Sequence, residues 1–190
     1  MPNPAPSLWI VRHGETEWSR GGRHTGRTDV PLTDAGAEQA TALRARLAGH
    51  AFALVLSSPL QRAWETCRLA GQAGAARRTD DLLEWDYGAY EGRTSREIRA
   101  TLPGWSIWTG DVPGGETIHD VAARARLVID EASRAGGDVA IFAHGHVLRV
   151  LAACWLELDP REGRRFALAT ASVGVLGHEN GVRVIQTWNV

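Results

Sequence analysis

The chain alternates short apolar runs with longer segments in which apolar residues recur every three or four positions. The runs at residues 8–11, 52–56 and 139–143 are apolar throughout, which is typical of buried strands. Residues 33–47 and 117–132 carry apolar residues at helical spacing and predict amphipathic helices. Because strands alternate with helices, the pattern predicts an α/β fold with a mainly parallel sheet.

Capping and turn residues predict where these elements begin and end. Thr33 or Asp34 is suited to cap the first long helix, and Gly49 is suited to close it. Ser58 followed by Pro59 predicts a helix that starts directly after the second strand, because proline suits the first helical position.

Five further segments complete the predicted order of elements. Residues 14–32 show no period and predict a long loop, while residues 82–84 resemble the end of a short fourth strand. Residues 94–97 form a capping-box pattern for a short helix, and another helix is expected over 147–156. Residues 172–188 predict a hairpin that turns at an Asn-Gly pair.

The composition excludes several classes of chemistry. The 190 residues include 21 arginines and no lysine, which rules out a Schiff-base lysine and a phosphate-loop lysine. An anion must therefore be held by arginine, histidine, backbone N–H groups or a metal. The net charge of −1 predicts no bulk attraction to nucleic acid or to anionic membranes. The length suits a single domain over residues 1–190.

Three features favour a cytoplasmic protein. No apolar run approaches the roughly 20 residues that span a bilayer. Residues 1–7 lack the basic and apolar parts of a signal peptide. Cys67 and Cys154 are isolated and match neither a zinc site nor a disulfide framework, which favours a reducing compartment.

Polar residues follow the predicted strands at the edge where parallel strands end. Arg12 and His13 follow the first strand, Arg62 comes shortly after the second, and His144 follows the third. Glu84 stands at the end of the shorter fourth strand. Because ligands of open α/β sheets bind beyond the carboxyl ends of the strands, these side chains predict a compact electropositive pocket.

This set of side chains suits phosphoryl transfer without a metal. Arginine matches the shape of phosphate, and a neutral histidine is a nucleophile near neutral pH. A second histidine can neutralise the transferring group, and a carboxyl group can exchange protons with the leaving oxygen and with water. Taken singly, His13 and His144 also fit ordinary turns and Arg62 also fits a helix surface, so the combination carries the prediction.

Several segments, in this order along the chain, resemble one family. Residues 8–16 read LWIVRHGET and residues 25–33 read TGRTDVPLT. They are followed by SSPLQR at 57–62, LEWDYGAYEG at 83–92, GGET at 114–117 and AHG at 143–145. Together they resemble the histidine phosphatase superfamily, also called the phosphoglycerate-mutase-like family.

The resemblance implies a fold and a set of roles. The fold would be a three-layer α/β/α sandwich. His13 would be the phosphorylated nucleophile, with Arg12, Arg62 and His144 completing the phosphate pocket and Glu84 as proton donor. No metal and no organic cofactor would be needed, and the partner would be a small phosphorylated substrate, with neither nucleic acid nor membrane.

Four stretches resemble one branch of this family more closely, the sedoheptulose-1,7-bisphosphatase-like enzymes and small acid phosphatases. They read EWS at 17–19, GRHTG at 22–26, EWDYGAYEG at 84–92 and AHGHVLR at 143–149. The closer resemblance makes His24, His146 and Arg149 candidate secondary contacts, while the family resemblance implies that Thr25 and Gly26 line the substrate entrance. The candidate substrate-binding set is completed by Ser19, Tyr87 and Gly145. Ser19 departs from the family, because many members carry asparagine there, but a hydroxyl can still donate to phosphate. Arg149 also fits a salt bridge on a helix surface. The tryptophans at 18, 85, 105 and 108 fit either cavity walls or core packing.

Two alternatives to hydrolysis remain open from the sequence. A phosphoglycerate mutase needs a second anion site, and mutases of this family usually carry a longer basic insertion and an extended tail. Here residues 87–115 offer only Arg93, Arg96 and Arg99, and the chain stops at Val190, which together favour hydrolysis. A non-catalytic domain that binds a phosphorylated ligand is the alternative from another class, and the complete catalytic set argues against it.

Overall fold

A computed structural model describes residues 6–190, built on one six-stranded sheet. The expectation that the chain starts without a signal peptide concerns mostly residues 1–5, which lie outside the described residues. The strands are β1 Leu8–Arg12, β2 Leu54–Ser57, β3 Ala76–Arg78, β4 Val139–Ala143, β5 Val173–Glu179 and β6 Val182–Thr187. Their order is β3-β2-β4-β1-β5-β6, with β1 to β4 parallel and β5 and β6 antiparallel.

Helices cover both faces of the sheet. The α-helices are α1 Glu17–Arg20, α2 Asp34–Leu47, α3 Gln61–Leu69, α4 Ser95–Arg99, α5 Ile118–Ser133 and α6 Gly145–Trp155. Short 3-10 segments lie at Ala73–Ala75, Asp80–Leu82, Gly88–Tyr90 and Pro160–Arg165. Within residues 6–190, no helix is both long and apolar enough to cross a membrane.

Two apolar clusters, one on each side of the sheet, make the predicted three-layer α/β/α sandwich. Val11 of β1 packs in one cluster with Leu43 of α2 and Cys67 of α3. Ile10, the neighbour of Val11, packs in the other with residues of α5 and α6 such as Val121. Successive strand residues point to opposite faces, so a strand covered on both sides must be apolar throughout. The prediction of an α/β fold with a mainly parallel sheet is confirmed.

Several element boundaries are confirmed by capping geometry. Thr33 is the N-cap of α2, with its side chain accepting from Gly36 N. Both Thr94 before α4 and Thr117 before α5 form complete capping boxes. The hairpin turns at Asn180 and Gly181, whose φ angles of 50° and 80° are those of the tight turns that suit twisted strands.

The fourth strand was predicted in the wrong place. Residues 80–82 form a 3-10 turn and Glu84 lies in the loop after it, whereas the strand itself is β3, Ala76–Arg78. It is an edge strand whose Arg77 and Arg78 are exposed, so no apolar run marks it in the sequence.

The predicted start of α3 was also wrong, by two residues. The helix begins at Gln61, and its N-cap Leu60 makes no side-chain cap bond. The Ser58 hydroxyl instead pairs with His144 Nε2 at 2.8 Å, and Asp29 Oδ1 accepts from Gln61 N at 2.8 Å. A loop that is distant in sequence therefore supplies the cap.

Two smaller differences lie next to the predicted site. The loop predicted over residues 14–32 contains the short helix α1, whose capping box is formed by Thr16 and Ser19. Helix α6 begins at Gly145, two residues earlier than expected, which places its first N–H groups against the loop that carries Glu84.

Candidate active site

Strand order brings two histidines together. His13 follows β1 and His144 follows the adjacent parallel strand β4, and the His13 backbone N–H donates to Ala143 O at 3.0 Å. The centroids of the two imidazole rings are 5.2 Å apart. The pair arises because both strands are parallel and end at the same edge of the sheet.

The His13 ring is held in one tautomer. Its Nδ1 lies 2.7 Å from Gly14 O, and because a carbonyl only accepts, Nδ1 carries the proton and Nε2 is left with a free lone pair. Burial lowers the pKa of His13 well below 6.5, and the charges of Arg12 and Arg62 lower it further. His13 is therefore a neutral nucleophile over a wide pH range.

Arg12 offers unpaired donors next to that nucleophile. One of its terminal nitrogens donates to Leu168 O, while its Nε is buried without a hydrogen-bond partner in the described part of the chain. Gly145 leaves room for the guanidinium, since a Cβ there would lie 3.3 Å from Arg12 Cζ. A buried, unpaired donor at the cavity wall fits an anion that would satisfy it.

Arg62 is fully buried. Its Nε donates to His144 Nδ1 at 3.1 Å, and its terminal nitrogens donate to the carbonyl oxygens of Thr25, Gly26 and Thr28. Four of the five guanidinium N–H groups are thereby used. Arg62 links the loop that contains Thr25 and Thr28 to His144 at the end of β4, and it orients the His144 ring.

The His144 ring is held between Arg62 and Ser58. Because Nδ1 accepts from Arg62, a neutral ring carries its proton on Nε2, which donates to Ser58 Oγ at 2.8 Å. Burial lowers the pKa of His144 well below 6.5, with the charge of Arg62 next in effect. Neither Arg62 nor His144 forms part of the cavity wall, and their predicted phosphate contacts stay predictions.

Glu84 is fixed at the start of α6. Its carboxylate accepts from the backbone N–H groups of Trp85, His146 and Val147 at 2.9–3.0 Å, and the residue is 4% exposed. Anionic groups are stabilised at helix N-termini, where backbone N–H groups lack partners in the helix. Arg124 donates to Leu83 O and holds the loop that carries this carboxylate.

The cavity has a volume of about 320 Å³ and contains most of the predicted residues. From the predicted set, it is lined by Arg12, His13, Ser19, His24, Thr25, Glu84, Tyr87, Gly145, His146 and Arg149. The lining residues outside the predicted set are Gly22, Arg23, Ser95, Arg99, Ser106, Ile107, Trp108 and Leu168. Of the four candidate wall tryptophans, Trp108 alone lines this cavity.

Gly26 and Ser19 have structural partners of their own. The Gly26 N–H donates to the Glu91 carboxylate at 2.8 Å, and a Cβ at Gly26 would lie 2.5 Å from Trp85 O. Gly26 does not line the cavity. The Ser19 hydroxyl donates to Thr16 O at 3.0 Å and accepts from Thr16 N at 2.9 Å. Ser19 therefore completes the capping box at the start of α1 and also lines the cavity.

Three arginines besides Arg12 make the cavity electropositive. Arg23, Arg99 and Arg149 line it, and among its lining residues Glu84 is the only carboxylate. The sequence offers Arg93, Arg96 and Arg99 as the basic residues of 87–115, and of these Arg99 lines the cavity. Burial, followed by the charge of Arg99, lowers the pKa of His24 to about 4.

Arg149 does not form the surface salt bridge that the sequence left open. It donates to the carbonyl oxygens of Gly163 and Arg164, and its guanidinium lies 4.6 Å from the Trp108 ring centroid. By contrast, Arg27 is within 4 Å of the carboxylates of Asp86 and Glu116. Arg149 is thus anchored facing the cavity, with its charge not neutralised by a carboxylate partner in residues 6–190.

Over residues 6–190, no group of three or more histidine, cysteine, aspartate or glutamate side chains is placed to hold a metal ion. That the reaction needs no metal stays a prediction, because it depends on the chemistry of the side chains and on an assay with a chelator.

Comparison with known proteins assigns a family to this geometry. The family described as "Histidine phosphatase superfamily (branch 1)" matches residues 8–190. An acid phosphatase from Mycobacterium tuberculosis is 43% identical over 181 residues, covering 93% of this chain and 88% of that protein. A sedoheptulose 1,7-bisphosphatase from Saccharomyces cerevisiae is 34% identical, covering 83% and 70%. The solved structure of an open reading frame from M. tuberculosis has a TM-score of 0.91 at 41% identity, covering 97% of each chain.

Proposed function

The chain belongs to branch 1 of the histidine phosphatase superfamily, and we propose that it hydrolyses a small phosphorylated metabolite through a phosphohistidine on His13. Its relatives support a phosphomonoesterase of the histidine phosphatase type. The observation that carries the proposal is the His13 ring, which is neutral, fixed by Gly14 O, and has Nε2 free at the wall of an arginine-lined cavity.

The first step transfers the phosphoryl group to the enzyme. The lone pair of His13 Nε2 attacks phosphorus and the bond from phosphorus to the ester oxygen breaks. Glu84, which enters this step as the carboxylic acid, gives that oxygen its proton and becomes the carboxylate. Arg12 stabilises the charge on the phosphoryl oxygens, and the buried positive charge of Arg62 adds to the field. No step uses a metal or a cofactor.

The second step releases phosphate. Glu84, now ionised, takes a proton from a water molecule, and the oxygen of that water attacks phosphorus. The bond from phosphorus to Nε2 breaks and returns its electron pair to the ring. His13 and Glu84 are restored, and the backbone N–H groups at the start of α6 hold the carboxylate in place through both steps.

Three arginines in the cavity wall besides Arg12 support a proposal for the class of substrate. Arg23, Arg99 and Arg149 favour an ester whose alcohol part carries hydroxyls or a second anion, such as a phosphosugar or a sugar bisphosphate. We place the enzyme in the cytoplasm as a single domain, in line with Cys67 and Cys154, which are free and buried.

Hydrolysis of p-nitrophenyl phosphate tests the proposed function. The wild type is expected to stay active in EDTA, and His13→Ala is expected to lose activity by about 10³-fold or more, because the nucleophile is gone. His119→Ala, on the exposed side of α5, is the control. Full activity of the His13 variant, or loss of wild-type activity in EDTA, would contradict the proposal.

The same arginines would also serve a mutase, so a separate assay addresses that alternative. With 3-phosphoglycerate and a trace of 2,3-bisphosphoglycerate, a phosphatase is expected to release inorganic phosphate and accumulate no 2-phosphoglycerate. Rapid formation of 2-phosphoglycerate would show that the intermediate is handed back rather than hydrolysed.

A further inference from the structure

Tyr87 and His146 form a hydrogen-bonded pair in the cavity wall. The Tyr87 hydroxyl lies 2.6 Å from His146 Nδ1, and Tyr87 is 1% exposed. The backbone N–H of His146 donates to Glu84 Oε2 at 3.0 Å. The pair therefore lies next to the carboxyl group that would protonate the leaving oxygen.

The direction of this hydrogen bond is fixed by the two groups. Burial raises the pKa of Tyr87 well above 10, so the phenol keeps its proton. Burial lowers the pKa of His146 well below 6.5, with the charge of Arg149 next in effect, so the ring is neutral. Over residues 6–190, His146 Nδ1 is the acceptor found for that phenol proton. A neutral imidazole that accepts at Nδ1 carries its proton on Nε2.

His146 Nε2 is left to face the cavity. It has no hydrogen-bond partner in the described part of the chain, yet it is not one of the buried unpaired nitrogens found there. The ring belongs to the cavity wall and is flanked by Trp108 and Trp85, with centroids at 5.2 Å and 6.3 Å. An N–H group with room in front of it and no protein acceptor is available to a ligand.

We propose that Tyr87 is a positioning residue that fixes His146 as the Nε2–H tautomer, and that this N–H donates to a hydroxyl or carbonyl oxygen beside the ester oxygen of the substrate. The inference rests on the proposed function, because it needs a phosphate ester with its alcohol part beside Glu84. The neutral N–H of His146 suits an uncharged oxygen, whereas Arg23, Arg99 and Arg149 favour anions. The opposite tautomer would present a lone pair and favour a donor on the substrate instead.

The tautomer can be measured in the free enzyme. In protein labelled with ¹⁵N-histidine, long-range ¹H–¹⁵N correlation spectra should show His146 protonated at Nε2 and not at Nδ1, with the signals assigned by their loss in His146→Gln. Tyr87→Phe keeps the ring but not the hydroxyl and should give a mixture of tautomers. Tyr90→Phe is the matched control, since Tyr90 is 6% exposed and packs against Trp105. A proton on Nδ1 in the wild type would overturn the proposal.

Two esters test the role in recognition. Glycerol 3-phosphate carries hydroxyls beside the ester oxygen, and phenyl phosphate carries none. Tyr87→Phe should lower kcat/KM for glycerol 3-phosphate by about 3- to 10-fold relative to kcat/KM for phenyl phosphate, the worth of one hydrogen bond, with the loss mainly in KM. Equal losses for both esters would overturn the recognition role.

Replacements of His146 separate the donor from the ring. His146→Gln keeps an N–H donor near the position of Nε2 and should retain the preference for glycerol 3-phosphate, whereas His146→Leu should lose it. Loss of the preference in both variants to the same extent would contradict a donor role. If the wild type hydrolyses neither ester, the proposed function fails, while the NMR spectra still decide the tautomer.

Discussion

Arg62 connects its own helix α3, the loop that contains Thr25 and Thr28, and the ring of His144, and it has no exposed surface. Its planar guanidinium donates at once to the loop carbonyls of Thr25 and Thr28 and to the ring of His144. Lysine carries three donors on a flexible stem and cannot reproduce this fork. The site therefore depends on arginine here for geometry as much as for charge.

Arg62→Lys is accordingly expected to lower the free energy of unfolding by about 2–4 kcal/mol, because buried carbonyls lose their donors. Urea denaturation measures this change. Arg68→Lys on the same helix is the matched control, since Arg68 is 55% exposed and its pair with Glu65 is screened by solvent. A loss for Arg62→Lys no larger than for the control would contradict the role of Arg62 in holding the loop.

Glu84→Gln separates proton donation from binding. An amide cannot donate a proton to a leaving oxygen, so hydrolysis of alkyl phosphates should slow by about 10²–10⁴-fold. The p-nitrophenyl ester should slow much less, because its leaving group needs little protonation. Steady-state kinetics with both esters checks the difference, with Glu65→Gln on the exposed side of α3 as control. Equal losses for the two esters would argue against a role in protonating the leaving group.

Much of the site can be predicted from residues that follow strands, and the rest cannot for a physical reason. Arg12 and His13 stand at the end of β1 and line the cavity as predicted. Glu84 also lines it, but from a loop after a 3-10 turn and not from the strand end that the sequence suggested. The bonds of Arg62 and the fixed tautomer of His146 depend on loop carbonyls and on a phenol 59 residues away. Sequence spacing carries no information on those contacts.

At the scale of elements, the loop after β1 and the start of α2 meet backbone to backbone. A Cβ at Gly14 would lie 2.3 Å from Gly36 O, and one at Gly36 would lie 2.1 Å from Glu15 O. The Gly14 N–H also receives a fixed partner, Thr66 Oγ1 of α3, at 3.0 Å. This close approach sets the position of Gly14 O, which in turn orients the His13 ring.

Gly14→Ala should therefore destabilise the protein by about 2–3 kcal/mol, because the contact is with backbone that cannot move aside. Gly74→Ala is the control, since nothing lies within 4 Å of a Cβ there. Thermal unfolding of both variants measures the effect. Equal melting temperatures for the two variants would contradict the close packing of α2 on the loop.

The predictions of helices and strands were right where a single local pattern, such as an apolar run or a capping box, determines the element. The central strands are apolar on both faces, and the capping boxes of α4 and α5 satisfy helix starts locally. The predictions of edge strand β3 and of the start of α3 were wrong. An exposed edge strand needs no apolar pattern, and the backbone N–H at the start of α3 donates to Asp29, which lies in another loop. Non-local partners set the limit of prediction.

Across the whole molecule, four histidines are held neutral, three in the cavity wall and His144 beside His13. Burial lowers the pKa values of His13, His24, His144 and His146 below 6.5 in the folded protein. In the unfolded chain these rings take up protons as the pH falls below about 6.5, whereas the folded protein resists this. Their contribution to stability is therefore present above pH 6.5 and is lost as the pH falls.

The pKa of His24 bounds one part of this loss. Since its folded pKa is about 4, its contribution should fall between pH 6.5 and pH 4, by about 3 kcal/mol in total. Urea denaturation at pH 7 and pH 4.5 should show a smaller loss of stability in His24→Gln than in the wild type. His119→Gln, an exposed histidine, should behave as the wild type. The same loss in His24→Gln as in the wild type would exclude this linkage.

The phosphohistidine on His13 is the central claim and can be trapped directly. Rapid acid-free quenching of the wild type during turnover of a phosphate ester labelled with ³²P should leave a protein-bound phosphate that is labile to acid and stable to base. His13→Ala should take up none. Turnover by the wild type without any such label, or equal labelling of the His13→Ala protein, would contradict the account.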